Sequence, residues 1–341
     1  MKPYKKILVV CVGNMVTGGP EALHHLVHCM RKLGLPAFIC YHPFDKKFEV
    51  PEAYREFDVQ AASFEDREGH LIIFPEVYPM DALRVRNAQA AIWWLSLDNF
   101  LERRHVSPLR DRIRYLKRSL QGRRPFGGIK ALQGLVHFSQ SHYASEYLRR
   151  QGLPFTEFFE PINARFLDPR LDTGTQNRVN EVLFNPSKGM KVTQQLIAQN
   201  PEVRFTPLRG FNRSQLTEKF QTAKVYIDFG HHPGRDRLPR EAAIHGCCIV
   251  TGQLGSAANE VDIPIPRAYK LDQTGASFIS NFNTLLAGIF RDFDKHHQAF
   301  DDYRARILGE PEVFVDQIRN FFLGQASKET INPENSRHTA S

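Results

Sequence analysis

Residues 226–259, YIDFGHHPGRDRLPREAAIHGCCIVTGQLGSAAN, constrain this 341-residue chain more than any other stretch. Val225, Tyr226, Ile227 and Phe229 are β-branched or aromatic and read as a strand, which Gly230 stops. A polar loop over 231–238 follows, with Arg235, Asp236 and Arg237 packed into it. Pro239 fits the first helical position, since its fixed φ suits that place and its missing N–H is not needed there. The pattern predicts a short helix over 239–245, a left-handed exit at Gly246, and a buried strand over 247–251. Gly252, Gly255 and Ser256 make a second tight turn. Strand, charged loop, helix, strand and glycine turn form half of a nucleotide-binding α/β layout. In such folds ligands collect at the carboxyl ends of the strands, where both of these loops lie.

The same alternation runs along the rest of the chain. Strands are predicted over 6–12, 36–41, 71–74, 91–95 and 136–139, and the loops PEVYP and SLDNF follow the third and fourth. Pro20 opens a helix whose Leu23, Leu26, Val27 and Met30 fall on one stripe, and Gly34 closes it. Ser141 caps a helix reaching Arg150. Residues 164–179 are polar with Pro and Gly and mark a linker between a domain over 1–163 and one over 180–310. Beyond it the pattern restarts, with strands over 181–184 and 203–207 and a helix over 190–199. Asn212 with Gln215 three residues on marks another helix start. Residues 276–323 read as mostly helical, the part over 311–324 packing back on the first domain, and 325–341 as a disordered polar tail. The expected fold class is therefore α/β, two Rossmann-like domains facing a cleft.

Charge and cysteine usage narrow the partners. Residues 102–130 hold ten Lys or Arg against two acids, an excess of +8 that equals the net charge of the whole chain. Leu109, Ile113, Leu116 and Leu120 recur within it at helical spacing. A solvated helix face is the bland reading, and contact with an anionic membrane surface the functional one. Nucleic acid is not expected, because aromatic interleaving is absent. The longest apolar run, 90–95, is far too short to span a bilayer. The basic-then-apolar start MKPYKKILVV allows a signal peptide, but Gly13, Asn14 and Gly18 fit a strand and its loop better. Five cysteines without zinc-ligand spacing imply buried free thiols, and with them a cytoplasmic protein, peripheral at the inner membrane face if the basic stretch binds lipid.

Four places carry candidate chemistry. Gly18, Gly19 and Glu21 form a glycine loop ahead of a helix, which suits an anion as well as a plain turn. In NPSKG, Lys188 sits beside a helix start, a place for a phosphate or for an ordinary loop-tip lysine. The third is HHPGRDR with Arg209, too polar for a mere connector, followed by Glu241 in the next helix. Glu241 either stabilises that helix dipole or holds ribose hydroxyls. The fourth is Trp93, Trp94, Asp98 and Asn99, with the indoles in the core and Asp98 past a strand end. No acidic pair suited to Mg²⁺ stands out, so no metal is expected.

In the order of its elements the chain resembles a GT-B glycosyltransferase, in style glycosyltransferase family 4. GGPEALHHLVHCMRKLG resembles that family's first loop and helix. FNPSKG resembles its donor-phosphate motif, which falls on Lys188. LPREAAIHGCCIVTGQLGSAAN resembles the segment whose glutamate binds the donor ribose, here Glu241. The family's first glutamate falls on Pro233, where HHPGRDR replaces the usual loop. Its His-Pro pair is similar to that of bacterial sialyltransferases, which use CMP-sugars. The resemblance implies transfer from a nucleotide-sugar, a substrate rather than a cofactor, held by the domain over 180–310, to a glycan or lipid-linked acceptor held by the domain over 1–163. Capsule, O-antigen or lipopolysaccharide synthesis is the setting it suggests. Expected donor-site residues are Gly18, Gly19, Lys188, Arg209, His232, Arg235, Asp236, Glu241, Gly255 and Ser256. Arg237 is expected to meet developing charge; if the enzyme inverts, Glu21 or Asp98 is expected to act as base, and if it retains, the nucleotide phosphate itself takes the proton. A GT-B epimerase or hydrolase, or a non-catalytic relative, are the rival classes.

Overall fold

A computed structural model describes residues 3–102, 128–167 and 174–324. The basic residues 103–127, positions 168–173 of the linker and the tail after Gly324 lie outside the described residues.

Two parallel sheets organise the chain. The first uses β1 (Lys6–Val12), β2 (Ala37–His42), β3 (His70–Pro75), β4 (Gln89–Trp94), β5 (Val136–Ser139) and β6 (Thr156–Glu157), in the order β2-β1-β3-β4-β5-β6. The second uses β7 (Val179–Phe184), β8 (Arg204–Pro207), β9 (Ala223–Asp228) and β10 (Cys248–Thr251), in the order β10-β9-β7-β8. Every pairing is parallel. Their composition explains it: β1 reads KILVVCV with five buried residues, and β3 is buried throughout. Such runs suit strands covered on both faces.

Each sheet has one place where the strand order reverses. In the first the chain moves outward from β1 to β2 and then returns to β3, so the loops after β1 and β3 part between two adjacent strands. In the second the loops after β7 and β9 part in the same way. Ligand crevices form at such reversals.

The covering helices are α1 (Gly18–Lys32), α2 (Pro79–Ala82), α3 (Leu97–Glu102), α4 (His142–Arg150), α5 (Met190–Gln199), α6 (Arg213–Thr222), α7 (Arg237–Ile244), α8 (Phe278–Arg291), α9 (Phe293–Gln298) and α10 (Asp301–Leu323). Several starts follow the sequence signals. The Ser141 hydroxyl accepts from the Ala144 amide at 3.2 Å, and Asn212 with Gln215 closes a capping box at the head of α6. Two details differ from expectation. The SLDNF loop is largely helical, as α3, which places Asp98 in a first turn. The helix expected from Pro239 begins two residues earlier, at Arg237, with Asp236 as its N-cap. The last helix, α10, runs through Pro311 and joins both cores. Its Tyr303 and Ile307 pack with the second sheet, and its Phe314 and Ile318 with the first, where Phe314 stacks on Trp93. All five cysteines are buried and free. No described helix is long and apolar enough to cross a membrane.

Candidate functional site

A cleft of about 440 Å³ opens between the carboxyl edges of the two sheets. The first half contributes Gly18 and Gly19 at the start of α1, Ser96 and Asn99 around the start of α3, Gln140 after β5 and Glu160 after β6. The second half contributes Asn185, Lys188, Asp228, His231 and residues 233–238. The loops after β7 and β9 therefore supply most of the second wall, at that sheet's order reversal.

Two glycines let those loops meet. Gly189 has φ +65°, and a Cβ there would lie 2.5 Å from the Gly230 amide nitrogen. Gly255 has the same φ, and a Cβ there would lie 2.1 Å from the His232 carbonyl oxygen. The Ser256 amide donates to that same carbonyl at 2.8 Å, and the Ser256 hydroxyl to the Gly234 carbonyl. Gly255 and Ser256 thus support the HHPGRDR loop from behind instead of lining the cleft.

Lys188 points into a cage of acids. Its Nζ lies 3.1 Å from Asp228 Oδ2, bonds Asp236, and reaches the His231 carbonyl at 3.4 Å. His232 is fully buried, with Nδ1 2.8 Å from Asp236 Oδ2. Burial alone would lower the Lys188 ammonium, but the Asp236 and Asp228 charges outweigh it and hold its pKa above the ordinary lysine value. Burial likewise opposes ionisation of Asp236, yet the hydrogen bond and charge of His232, with Lys188, bring it down to about 2. Asp228, His232 and Asp236 offer three metal-type donor atoms within 4.8 Å of one another, a grouping that sequence spacing had not suggested. The Lys188 ammonium already sits against two of these residues.

Arg237 bridges the halves. It lines the cleft, bonds Glu21 Oε2 on α1, and packs beside Gly18. Asn163 Nδ2 donates to Glu21 Oε1 at 2.8 Å. Burial would raise the Glu21 carboxyl, but the Arg237 charge and the Asn163 hydrogen bond prevail and lower it. Glu21, one of the two base candidates, is thus held ionised and paired in this arrangement. Asp98 is engaged too, with His231 Nδ1 at 2.9 Å and the Tyr143 hydroxyl at 3.2 Å.

Two expected phosphate ligands and the expected ribose ligand stand elsewhere. The Arg235 guanidinium leaves its loop for Glu310 on α10 and lies over the Phe159 ring at 5.3 Å. Arg240 shares Glu310 at 2.7 Å and donates to the Glu160 carbonyl at 3.0 Å. Arg209 is exposed on the loop after β8 and does not line the cleft. Glu241 is buried on α7, its carboxyl raised by burial against the opposing charges of Arg237 and Arg240. Of the thirteen residues expected from sequence, Gly18, Gly19, Lys188, Arg235, Asp236 and Arg237 line the cleft, Arg235 with its guanidinium turned to Glu310. Glu21, Asp98, Arg209, His232, Glu241, Gly255 and Ser256 do not.

Sequence reasoning missed Gln140, Glu160 and Asp228. Asp228 ends β9 and Gln140 directly follows β5, so strand-end position was the available signal. Glu160 is buried, and burial pushes its carboxyl up to about 7, against the charges of Arg240 and Arg237.

No family model matches the chain, and no curated protein sequence does. Solved structures do match its shape. Sucrose-phosphate synthase from Thermosynechococcus elongatus is 12% identical with a TM-score of 0.64, over 94% of this chain and 98% of that one. Anabaena HepE, solved with UDP and glucose, is 11% identical with a TM-score of 0.63, over 94% of this chain and all of that one. An alpha-glucosyltransferase solved with UDP and a 13-mer DNA is 10% identical with a TM-score of 0.52, over 95% of this chain and all of that one. At such identities the likeness establishes architecture: two Rossmann-like domains facing a cleft, the GT-B fold.

Proposed function

We propose that the chain is a glycosyltransferase that moves a sugar from a nucleotide-sugar to a hydroxyl acceptor. The observation that carries this reading is the convergence of Gly18, Gly19, Lys188 and Arg237 on one cleft between two parallel-sheet domains. Departure of a nucleoside phosphate leaves negative charge, which needs cations and unpaired helix-start N–H groups near the breaking bond. The α1 start supplies the N–H groups, and Lys188 and Arg237 supply the charge. UDP in the HepE and alpha-glucosyltransferase structures supports a nucleotide-sugar donor here by likeness of fold.

The finer reading rests on sequence. Family 4 membership, a glycan or lipid-linked acceptor, and a role in cell-surface polysaccharide synthesis follow from the three motif resemblances. A cytoplasmic enzyme held at the inner membrane face follows from the basic stretch over 102–130. Independence of metal follows from Lys188, which puts a fixed cation where Asp228 and Asp236 would otherwise draw a divalent one. Turnover is therefore expected to survive chelation by EDTA.

One experiment tests the reading against its rivals. The protein is incubated with UDP-, GDP-, ADP- and CMP-sugars, with and without a lipid extract or simple glycosides. Acceptor-dependent nucleotide release supports transfer, acceptor-independent release a hydrolase, altered sugar stereochemistry an epimerase, and no turnover a non-catalytic relative.

A further inference from the structure

A hollow of about 370 Å³ lies at the outer margin of the first sheet and shares no lining residue with the main cleft. β2 is the outermost strand there, and residues 60–62 run alongside it. The Ile39 amide donates to the Gln60 carbonyl at 2.9 Å, and the Ala62 amide to the Ile39 carbonyl at 2.9 Å. That path carries Ser63 and Phe64 into one wall. The other wall is the run FDKKF, which begins two residues after β2. The Lys46 amide donates to the Pro43 carbonyl at 3.3 Å and closes a turn with Phe44 and Asp45 at its tip.

Four aromatic rings shape the hollow. Phe44 and Phe64 stack with centroids 4.3 Å apart and planes at 27°, which ties the turn to the sheet margin. Phe44 remains 36% exposed. Tyr41 is buried and meets the Phe48 ring edge-on at 6.0 Å. Its hydroxyl donates to His24 Nε2 at 2.8 Å, because His24 Nδ1 must donate to the Pro20 carbonyl at 2.7 Å. The rings are thus held in place by the protein itself. Beside them Lys46 and Lys47 are exposed, and neither makes an ion pair with a described residue. Lys188 and Arg237 in the main cleft are, by contrast, both paired with carboxylates. Glu65, next to Phe64, already pairs with Lys6 at 2.8 Å. Asp45 is the one carboxylate among the described residues of the wall, and Ser63 adds a hydroxyl.

Two adjacent unpaired ammonium groups beside flat apolar rings suit a ligand with an anion at one end and a flat ring at the other. We propose that this hollow binds a nucleoside monophosphate, its base laid on the Phe44–Phe64 pair and its phosphate on Lys46 and Lys47. A phosphate monoester carries about −1.5 to −2 charge at pH 7, enough to engage both lysines. Every base has a π face, so the rings accept bases without selecting among them. A hexose phosphate brings the anion but no such face. The volume is at the small end of the roughly 300–1,000 Å³ range of ligand pockets, which suits a single nucleotide. Binding here does not rest on the glycosyl-transfer reading of the main cleft.

Calorimetry with UMP, CMP, AMP and GMP tests it. Wild type is expected to bind at least one of them in a phase that Lys46→Gln with Lys47→Gln weakens about tenfold or more. Phe44→Ala should weaken the same phase about five- to a hundredfold, the loss of one stacked base. Both lysines are exposed, so the double variant should keep the wild-type thermal midpoint. Lys188→Ala, which weakens the main cleft, should leave the phase in place; a phase lost with Lys188 would belong to the cleft and overturn the proposal. Uridine and glucose 6-phosphate should each bind about tenfold more weakly than the best monophosphate, or weaker still. Glucose 6-phosphate binding as tightly would overturn the role given to the base. The proposal also falls if no monophosphate binds wild type, or if the lysine substitutions leave the isotherms unchanged. Absence of turnover with every nucleotide-sugar would sink the transfer reading and leave this site standing.

Discussion

At the scale of single residues the cleft is an exercise in compensated charge. Lys188 faces two carboxylates, Arg237 one, and Arg235 has left for Glu310. A phosphate entering the cleft therefore competes for Lys188 with Asp228 and Asp236. Lys188→Ala removes the one lysine among the described residues of the cleft wall. It should weaken nucleotide binding by about ten- to a hundredfold, the loss of one charge-assisted hydrogen bond. Calorimetry with UDP measures it, and equal affinity in the variant would show that the phosphates bind elsewhere. The titrating carboxyls make a separate, signed prediction. Glu76 and Glu160 are raised by burial from 4.5 to about 7, so the folded chain keeps protons that the unfolded one releases. Their contribution to stability is full below about pH 4.5 and is lost as pH rises toward 7. Asp236, lowered from 3.8 to about 2, works in reverse: its contribution is present above 3.8 and lost as pH falls through 2. Glu76→Gln should flatten the decline between pH 4.5 and 7 in urea midpoints; an unaltered slope would show that Glu76 does not titrate there. Sequence made Gly18, Lys188 and Arg237 legible because a glycine or a charge beside a helix start is a local signal. It could not show that Arg237 pairs with Glu21, 216 residues away, or Arg235 with Glu310, 75 residues away.

At the scale of elements, α10 ties the second half to the first. Glu310, 5% exposed, holds both Arg235 and Arg240 where α10 passes α7. Removing one partner of a buried ion group leaves the others charged and desolvated, which typically costs about 3–5 kcal/mol. Glu310→Ala should therefore lower the thermal midpoint far more than removal of an exposed glutamate such as Glu146, whose pair with Arg149 is on the surface. Scanning calorimetry compares the two, and equal losses would mean that the buried cluster contributes little. Strands such as β1 and β3 were readable because parallel strands covered on both faces are apolar along most of their length. The bounds of α7 were not. The preference of proline for the first helical position pointed to Pro239 as the start, but the helix begins two residues earlier, at Arg237, and the Asp236 carboxylate serves Lys188 and His232 rather than capping it. Pro239 is left inside the first turn, where a missing N–H is equally harmless. The two-residue β6 carries too little pattern to see in sequence, yet it ends the first sheet next to the loop that brings Glu160 into the cleft.

At the scale of the whole molecule, the two order reversals give two adjoining crevices at the carboxyl edges of the sheets. Where the protein works is a matter of its charge. The excess of +8 lies within residues 102–130, and the remainder of the chain balances. Charge so concentrated acts on a surface at short range, with each Lys or Arg near an anionic leaflet contributing about 1 kcal/mol. It is screened within about 8 Å at physiological salt, so attraction should weaken as salt rises. Replacing Arg112, Arg114, Lys117 and Arg118 together with Gln removes four of the ten cations. Flotation with phosphatidylserine vesicles should drop markedly for this variant at low salt, and neutral vesicles should bind neither protein. A duplex oligonucleotide is the necessary control, because phosphates on DNA attract the same cations. Vesicle binding that survives an excess of duplex favours a membrane. Vesicle binding lost to the duplex favours nucleic acid, and flotation unchanged by the four substitutions would reduce the stretch to a solvated face.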